Sequence, residues 1–339
     1  ASYTACNLGN LNLMKFVNDD GSFDHKSLGD ATRVATRFLD NVIEYNMQNH
    51  ALPKIRDAVE SDRRVGLGIT GMADALVLMR KQYDSQGALD AVEEIMQTIC
   101  YNSYETSIDL AKEKGSFPLF DWDGLSKSKF IQGLPSKIQE RIKERGLRNC
   151  TLITMPPVGT GSIVAQTSSG IEPIFCTSYK RRVKQDDGES FREYKVYHPM
   201  IKEAFGGDEE LPDYVRTAHQ IDPYFRVKMQ GVIQRYTDSS ISSTINLAED
   251  TDVDTIADIY LTAYKEGLKG VTVYREGSRE GILQTEDENE NSSDNGAEGV
   301  GLNIASEDGY HRRRKRPAVT QGITERINTG EGRIYVTIN

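Results

Sequence analysis

The chain has 339 residues and carries 41 Lys and Arg against 51 Asp and Glu, a net charge of −10. That balance argues against a general nucleic-acid surface, which needs excess basic side chains, but not against binding one nucleotide through backbone amides. No stretch approaches the roughly 18 apolar residues of a membrane span.

Ala1–Cys6 has neither the basic start nor the apolar core of a secretory leader. The first residue is not Met, so the expectation is a sequence that begins inside a longer protein. Leu28, Val34, Ala35, Phe38, Leu39, Val42 and Ile43 recur at helical spacing and predict a helix over 27–50. Gly66-Leu67-Gly68-Ile69-Thr70-Gly71 matches GxGxxG. The preceding Asp62-Arg63-Arg64 does not read as a strand, so a dinucleotide fold is set aside for a tight glycine turn before a helix over 72–81. A long amphipathic pattern over 87–114 stops at Gly115 and Pro118. Cys150–Met155 is a buried-strand candidate and 156–162 a Gly/Pro loop. Helices are expected over 209–236 and 252–268, and a strand over 270–274. Helices alternating with short strands predict an α/β architecture with parallel strands. Beyond about residue 283 the composition turns acidic and Asn/Ser/Gly-rich, as in a disordered linker. The basic run Arg312–Arg316 reads as its solvated end, and strand character returns over 317–339.

Pro157-Val158-Gly159-Thr160-Gly161-Ser162 follows an apolar strand candidate. Two glycines let amides turn inward, two hydroxyls add donors, and a helix starting next would offer free N-terminal amides to an anion. This is a phosphate cradle without a Walker lysine; the alternative is a plain strand-to-helix turn. The four cysteines, Cys6, Cys100, Cys150 and Cys176, are scattered with no CxxC, which suits a reducing cytoplasm, and each reads by composition as a small core residue. His25, His50, His198, His219 and His311 show no metal-ligand spacing, and none is assigned to a metal. No Ser/His/Asp arrangement is readable.

Six blocks in order resemble the ribonucleotide reductase large chain. Cys6–Leu13 (CNLGNLNL) is similar to the family's CNLGSINL strand. Arg64–Leu76 resembles its R-x-GLG-x-x-G-x-ADAL segment. Leu110–Pro118, Pro157–Phe175 (VGTGSIVAQTSSGIEPIF after the proline), Ile241–Leu247 and Lys269–Arg279 complete the set. The resemblance covers residues 1 to about 283, and Arg316–Asn339 resembles the start of the small C-terminal domain of long cobalamin-dependent reductases. It implies an α/β fold: the second half of a ten-stranded α/β barrel over 1–283, a linker over 284–316, and the start of a truncated β-rich domain over 317–339. It implies reduction of ribonucleoside di- or triphosphates to deoxyribonucleotides by a thiyl radical. Cys6 matches the second cysteine of the redox-active disulfide, and Pro157, Val158, Gly159, Thr160, Gly161 and Ser162 match the loop on the substrate phosphates. The radical cysteine, in an Asn-Pro-Cys-Gly-Glu motif, and the first redox cysteine belong upstream, and no cysteine follows Cys176 to act as a terminal shuttle. Val158 stands where many relatives carry Thr. Val273 precedes Tyr274, so the tyrosine pair of the oxygen-dependent class is absent, which favours adenosylcobalamin, with no binding residues assigned, and makes Tyr274 a packed barrel residue. The implied partners are a thioredoxin-like or small dithiol reductant and a second copy of the chain, in the cytoplasm. Two other readings stand beside this one: a class I large subunit with a di-iron partner, and a non-catalytic nucleotide-binding half-barrel that joins another chain.

Overall fold

The computed structural model describes residues 3–184, 191–278, 323–329 and 332–338, the last two segments and 181–184 and 191 as backbone only. The predicted linker over 284–316, with its acidic and basic runs, lies outside the described residues. Contacts divide the chain into two compact units, Ala1–Glu286 and Asp287–Asn339.

In the first unit, β1 (Asn7–Asn12) leads through a 3₁₀ turn to α1 (His25–Asn49), which the Asp24 carboxylate caps at the Ser27 amide. Pro53 opens α2 (Pro53–Asp62), as its missing N–H is no loss in a first turn. The chain then reverses at Arg63, held at φ 47°, into β2 (Val65–Thr70). Gly71, at φ 72°, starts α3 (Met72–Leu78). The longest helix, α4 (Gln86–Lys114), is capped by Ser85 and ended by Gly115. Three short helices follow: α5 (Trp122–Leu125), α6 (Lys129–Gln132) and α7 (Ser136–Arg145). After an extended segment at 151–155 come α8 (Gly159–Ala165), the antiparallel hairpin β3 (Ser178–Lys184) and β4 (Phe191–Tyr197), and α9 (Pro199–Phe205). The unit ends with α10 (Pro223–Arg235), β5 (Thr244–Leu247), α11 (Val253–Lys265) and β6 (Thr272–Arg275). The second unit holds one antiparallel hairpin, β7 (Ile323–Thr329) with β8 (Gly332–Ile338).

Five extended segments of the first unit lie side by side and parallel. β1 pairs with β2, Leu67 bridges Ile153, Met155 bridges Ile241, and β5 pairs with β6. Backbone bonds join the series: Leu67 N–H to the Leu152 carbonyl at 2.8 Å, Ser242 N–H to Met155 at 2.8 Å, and Thr272 N–H to Ser243 at 3.2 Å. The architecture is therefore α/β, with helices between successive parallel strands. One face of β2 buries Val65, Leu67 and Ile69 under α1, whose Leu28, Leu39 and Ile43 are buried with Ile95, Met96, Ile99 and Ile108 of α4. Each such side chain contributes about 1.5–3 kcal/mol.

The glycine run is a strand and not a turn. Gly66 and Gly68 lie within β2 on the face opposite Val65, Leu67 and Ile69 because larger residues would collide there. A Cβ on Gly68 would lie 2.6 Å from the Asn10 side-chain oxygen and 2.7 Å from the Thr154 carbonyl oxygen of the neighbouring segment. Gly68→Ala is expected to cost about 1–3 kcal/mol, because backbone cannot swing aside as a side chain can. An unchanged denaturant midpoint would refute the close approach of the 151–155 segment to β2.

The helix expected over 209–236 is shorter. Helical structure starts with a 3₁₀ turn at Ala218–Gln220, and α10 begins at Pro223. A residue before proline is pushed to extended conformation, and Asp222 takes that role as cap, its carboxylate accepting from the Phe225 amide at 2.9 Å. The 156–162 loop is likewise partly helical, since α8 starts at Gly159.

Buried polar groups lock the layers. Asp40 of α1 is fully buried and receives Arg63 Nη2 at 2.7 Å, Asn149 Nδ2 at 3.0 Å and Arg148 Nε at 3.4 Å. Arg148 also reaches Glu44 at 2.6 Å and the carbonyls of Lys114 and Gly115 at 3.1 Å. The cluster joins α1 to the ends of α2 and α4 and to the entry of the 151–155 segment. A second lock is Asp238, whose carboxylate accepts from the amides of Leu152 (2.7 Å) and Ile153 (3.2 Å), from Tyr104 (2.9 Å) and from Ser239 (3.1 Å). Burial pushes its carboxyl above the usual range, while these donors pull it back.

Candidate active site: a cavity and a thiol on one face of parallel strands

Side chains alternate along a strand, so Leu8, Asn10 and Asn12 share a face with Gly66, Gly68 and Thr70. Cys6 falls on this face. Its Sγ lies over Gly66, where a Cβ would be 2.9 Å from the sulfur and 2.5 Å from Thr154 Cγ2. Two residues on, Gly68 abuts Pro156 in the same way. Two residues of parallel strand advance about 7 Å.

Pro156 opens the wall of a cavity of about 670 Å³ that also includes Pro157, Ser162, Glu172, Thr244 and Asn246. It follows the end of the 151–155 segment at Pro156 and runs along Ser242, Thr244 and Asn246 of the neighbouring segment, and its volume suits a nucleotide-sized molecule.

Pro157 and Ser162 line this cavity. Val158 is buried, and Gly159, Thr160 and Gly161 are exposed. The three exposed residues form the first turn of α8, which has no side-chain cap, so their amides find no acceptor within the helix. The Ser162 hydroxyl donates to the Gly159 carbonyl at 2.8 Å and is not a free donor. Ser169 Oγ accepts the Val158 amide at 3.2 Å and fixes the entry to the turn.

The four cysteines do not behave alike. Cys100 is fully buried, as its composition reading required. Cys176 is half-buried and borders the cavity. Cys6 and Cys150 are half-buried, and burial pushes both thiols up to about 11.

Several residues in the cavity wall and directly behind it were not singled out from sequence. Arg226 donates to Glu172 Oε2 at 2.5 Å and Ser243 Oγ at 2.7 Å, and contacts the Tyr83 hydroxyl. Glu172 Oε1 in turn accepts the Thr244 amide at 2.8 Å. This buried arginine fixes two cavity-lining segments against each other. His198, also in the wall, lies 3.4 Å from Asp74, which accepts the Ser168 amide at 2.5 Å. Burial lowers the His198 pKa and raises that of Asp74. Asp74 and Glu172 stand inside motif blocks already recognised, but nothing in their spacing pointed to a ligand site. Tyr274 is half-buried on the Asn246 side of β6, and Val273 packs beside Ile245.

Helix-covered parallel strands beside a cavity define an α/β protein, and sequence comparison resolves which family. The chain belongs to the ribonucleotide reductase family: the family profile "Ribonucleotide reductase, barrel domain" matches residues 1–274. It is 37% identical over 295 residues to a vitamin B12-dependent ribonucleoside-diphosphate reductase of Thermoplasma acidophilum, covering 82% of this chain and 36% of that protein. It is 33% identical over 298 residues to the protein of the same description from Mycobacterium tuberculosis (strain CDC 1551 / Oshkosh), covering 82% of this chain and 40% of that one. A ribonucleoside-diphosphate reductase subunit alpha of Chlamydia muridarum is 27% identical over 318 residues, covering 80% and 30%. The chain thus spans well under half the length of these relatives. No helix among the described residues is long and apolar enough to cross a membrane.

Proposed function

We propose that this chain forms the C-terminal half of the catalytic barrel of a cobalamin-dependent ribonucleotide reductase. In this reading the substrate phosphates sit on 157–162, and Cys6 is one of the two thiols that reduce the ribose. The observation that carries the proposal is the common face: the Cys6 thiol and the cavity edge at Pro156 are two strand residues apart along β2. The five parallel segments would be half of a ten-stranded barrel, with 284–316 as linker and 317–339 as the start of a further domain. The radical cysteine and the first redox thiol would be supplied by an upstream segment.

The chemistry balances on the thiols. Two thiols give two electrons and two protons and close to a disulfide; the ribose 2′-hydroxyl leaves as water and hydrogen takes its place. A thioredoxin-like or small dithiol then reopens the disulfide by exchange, which requires a thiolate. The exposed amides of 159–161 would bind phosphate oxygens, which favours a diphosphate or triphosphate over an uncharged nucleoside.

Adenosylcobalamin would supply the radical. Support comes from the printed names of the T. acidophilum and M. tuberculosis relatives and from Val273 in place of a second tyrosine. The cavity does not fit this group. It has nucleotide dimensions, about 670 Å³, and a corrin is far larger, so the cofactor would sit outside it. A cytoplasmic setting and assembly as a homodimer belong to the same proposal.

A protein comprising this chain and the upstream segment of its relatives is expected to reduce a ribonucleoside diphosphate with adenosylcobalamin and dithiothreitol alone. Turnover that ignores cobalamin and needs a second, di-iron subunit would replace the cofactor assignment. Nucleotide binding without turnover under either condition would favour the non-catalytic half-barrel, for which β1 and β6, each paired on one side among the described residues, are the observation.

A further inference from the structure

Three parallel segments place Cys6 and Cys150 in register on either side of Arg64. Asn7 pairs with Val65, so Cys6 stands beside Arg64 at the start of β2. The Val65 amide bonds to the Thr151 carbonyl and Leu67 bridges Ile153, so Arg64 stands beside Cys150 on the other flank. The Cys6 sulfur leans over β2, as its approach to Gly66 shows. Neighbours two strands apart sit roughly 9–10 Å from each other, too far for Cys6 and Cys150 to form a disulfide without backbone movement.

The arginine itself is under-used. Its side chain is 31% exposed, its ion-pair partner Asp62 is 3.7 Å away, and its Nε is buried without a hydrogen-bond partner. A contact of 3.7 Å is too long for a hydrogen bond. A buried donor left unsatisfied costs about 1–3 kcal/mol, so this position is poorly explained by structure alone. The charged groups around the thiols are few. Arg64 favours the thiolate of both Cys6 and Cys150, while Asp62 and Asp238 oppose it. Asp62 is held in place by the Thr4 hydroxyl at 2.5 Å.

We propose that Arg64 is a positioning residue for the Cys6 thiolate, held between Cys6 and Cys150 with a free donor that only the ionised sulfur satisfies. The proposal deepens the redox role given to Cys6, and rests on that reading for its relevance to turnover. It explains how a thiol that burial makes reluctant to ionise is still able to take part in exchange with an external dithiol.

The test reads thiol reactivity, not turnover. Cys6 in the full chain is alkylated with iodoacetamide across pH 6.5–10 and quantified by peptide mass spectrometry, with Cys176 as internal control and Cys100 as a reporter of opening. Arg64→Gln is expected to slow Cys6 about tenfold at pH 8.5 and to move its profile up by about one pH unit. Cys176 should be unchanged, and Arg64→Lys should recover most of the rate. An identical Cys6 profile in Arg64→Gln, or equal slowing in the Gln and Lys variants, overturns the proposal. If Arg64→Gln exposes Cys100, Asp62→Asn decides instead: removing the competing carboxylate should speed Cys6 alkylation, and an unchanged rate overturns the assignment. A shifted alkylation profile alongside normal turnover of a Cys6→Ser protein would uphold Arg64 and refute only the redox role of Cys6.

Discussion

Cys6→Ser, in a protein that joins this chain to the upstream segment of its relatives, is expected to lower steady-state reduction of a ribonucleoside diphosphate by at least about a hundredfold, a barrier increase of roughly 2.7 kcal/mol or more. A hydroxyl has nearly the shape of a thiol but cannot close a disulfide, so the two-electron exchange with an external dithiol has no route. The site should otherwise persist, because the hydrogen bond that Cys6 Sγ makes is weak, 3.9 Å to the Asn7 carbonyl, and the cavity wall is built from other segments. Nucleotide affinity measured by calorimetry should therefore stay within about threefold of the parent, while rate alone collapses. Unchanged steady-state rates would remove Cys6 from the mechanism. A parallel loss of affinity would make it a packing residue.

Asp40→Ala is expected to be the most damaging single change to the fold, at about 3–5 kcal/mol. The carboxylate is fully buried, and two arginines and an asparagine converge on it. Removing it leaves Arg63, itself 2% exposed, and Arg148, 8% exposed, facing each other with much of their charge unanswered. Glu44 still reaches both guanidiniums but is 42% exposed and screened by solvent. For a unit of this size the loss corresponds to a melting temperature lower by on the order of 10 °C. Replacing the acid and both arginines together with apolar residues should cost less than the single change. A melt within 2–3 °C of the parent for Asp40→Ala would show that water or Glu44 takes over the charge.

What could be read from the chain depended on where the governing contacts lie. The long helices α1, α4 and α11 were legible because their apolar spacing is local, and so is the stop of α4 at Gly115. The Gly66–Gly71 run misled because glycine ordinarily breaks a strand. Here the missing side chains are required by Cys6, Asn10 and Thr154, which come from segments distant in sequence. The proline at 223 was visible, but apolar periodicity across 209–236 masked it. The charged hairpin β3–β4 offered no apolar alternation to find. In the site, Cys6 and the 157–162 loop were legible as parts of motif blocks. Arg64 gains meaning only once parallel pairing sets it beside a thiol, and Asp74, His198 and Arg226 only once helix packing sets them beside a loop amide or the cavity wall.

The parallel pairing also dictates how such a chain must assemble. Among the described residues, no two neighbouring parallel strands of the first unit are joined by a tight turn: α1 and α2 lie between β1 and β2, the helices α3 to α7 lie between Leu67 and Ile153, and α8 to α10 lie between Met155 and Ile241. Each pairing closes a long loop before any ladder bond rewards it, so the entropic cost falls early and the gain late. Helix contacts such as α1 against α4 must therefore hold the intervening chain together while the strands are still unpaired. Residues that join helices to strands, Asp40 and Asp238 foremost, then act on the speed at which the native register is reached as well as on its final stability.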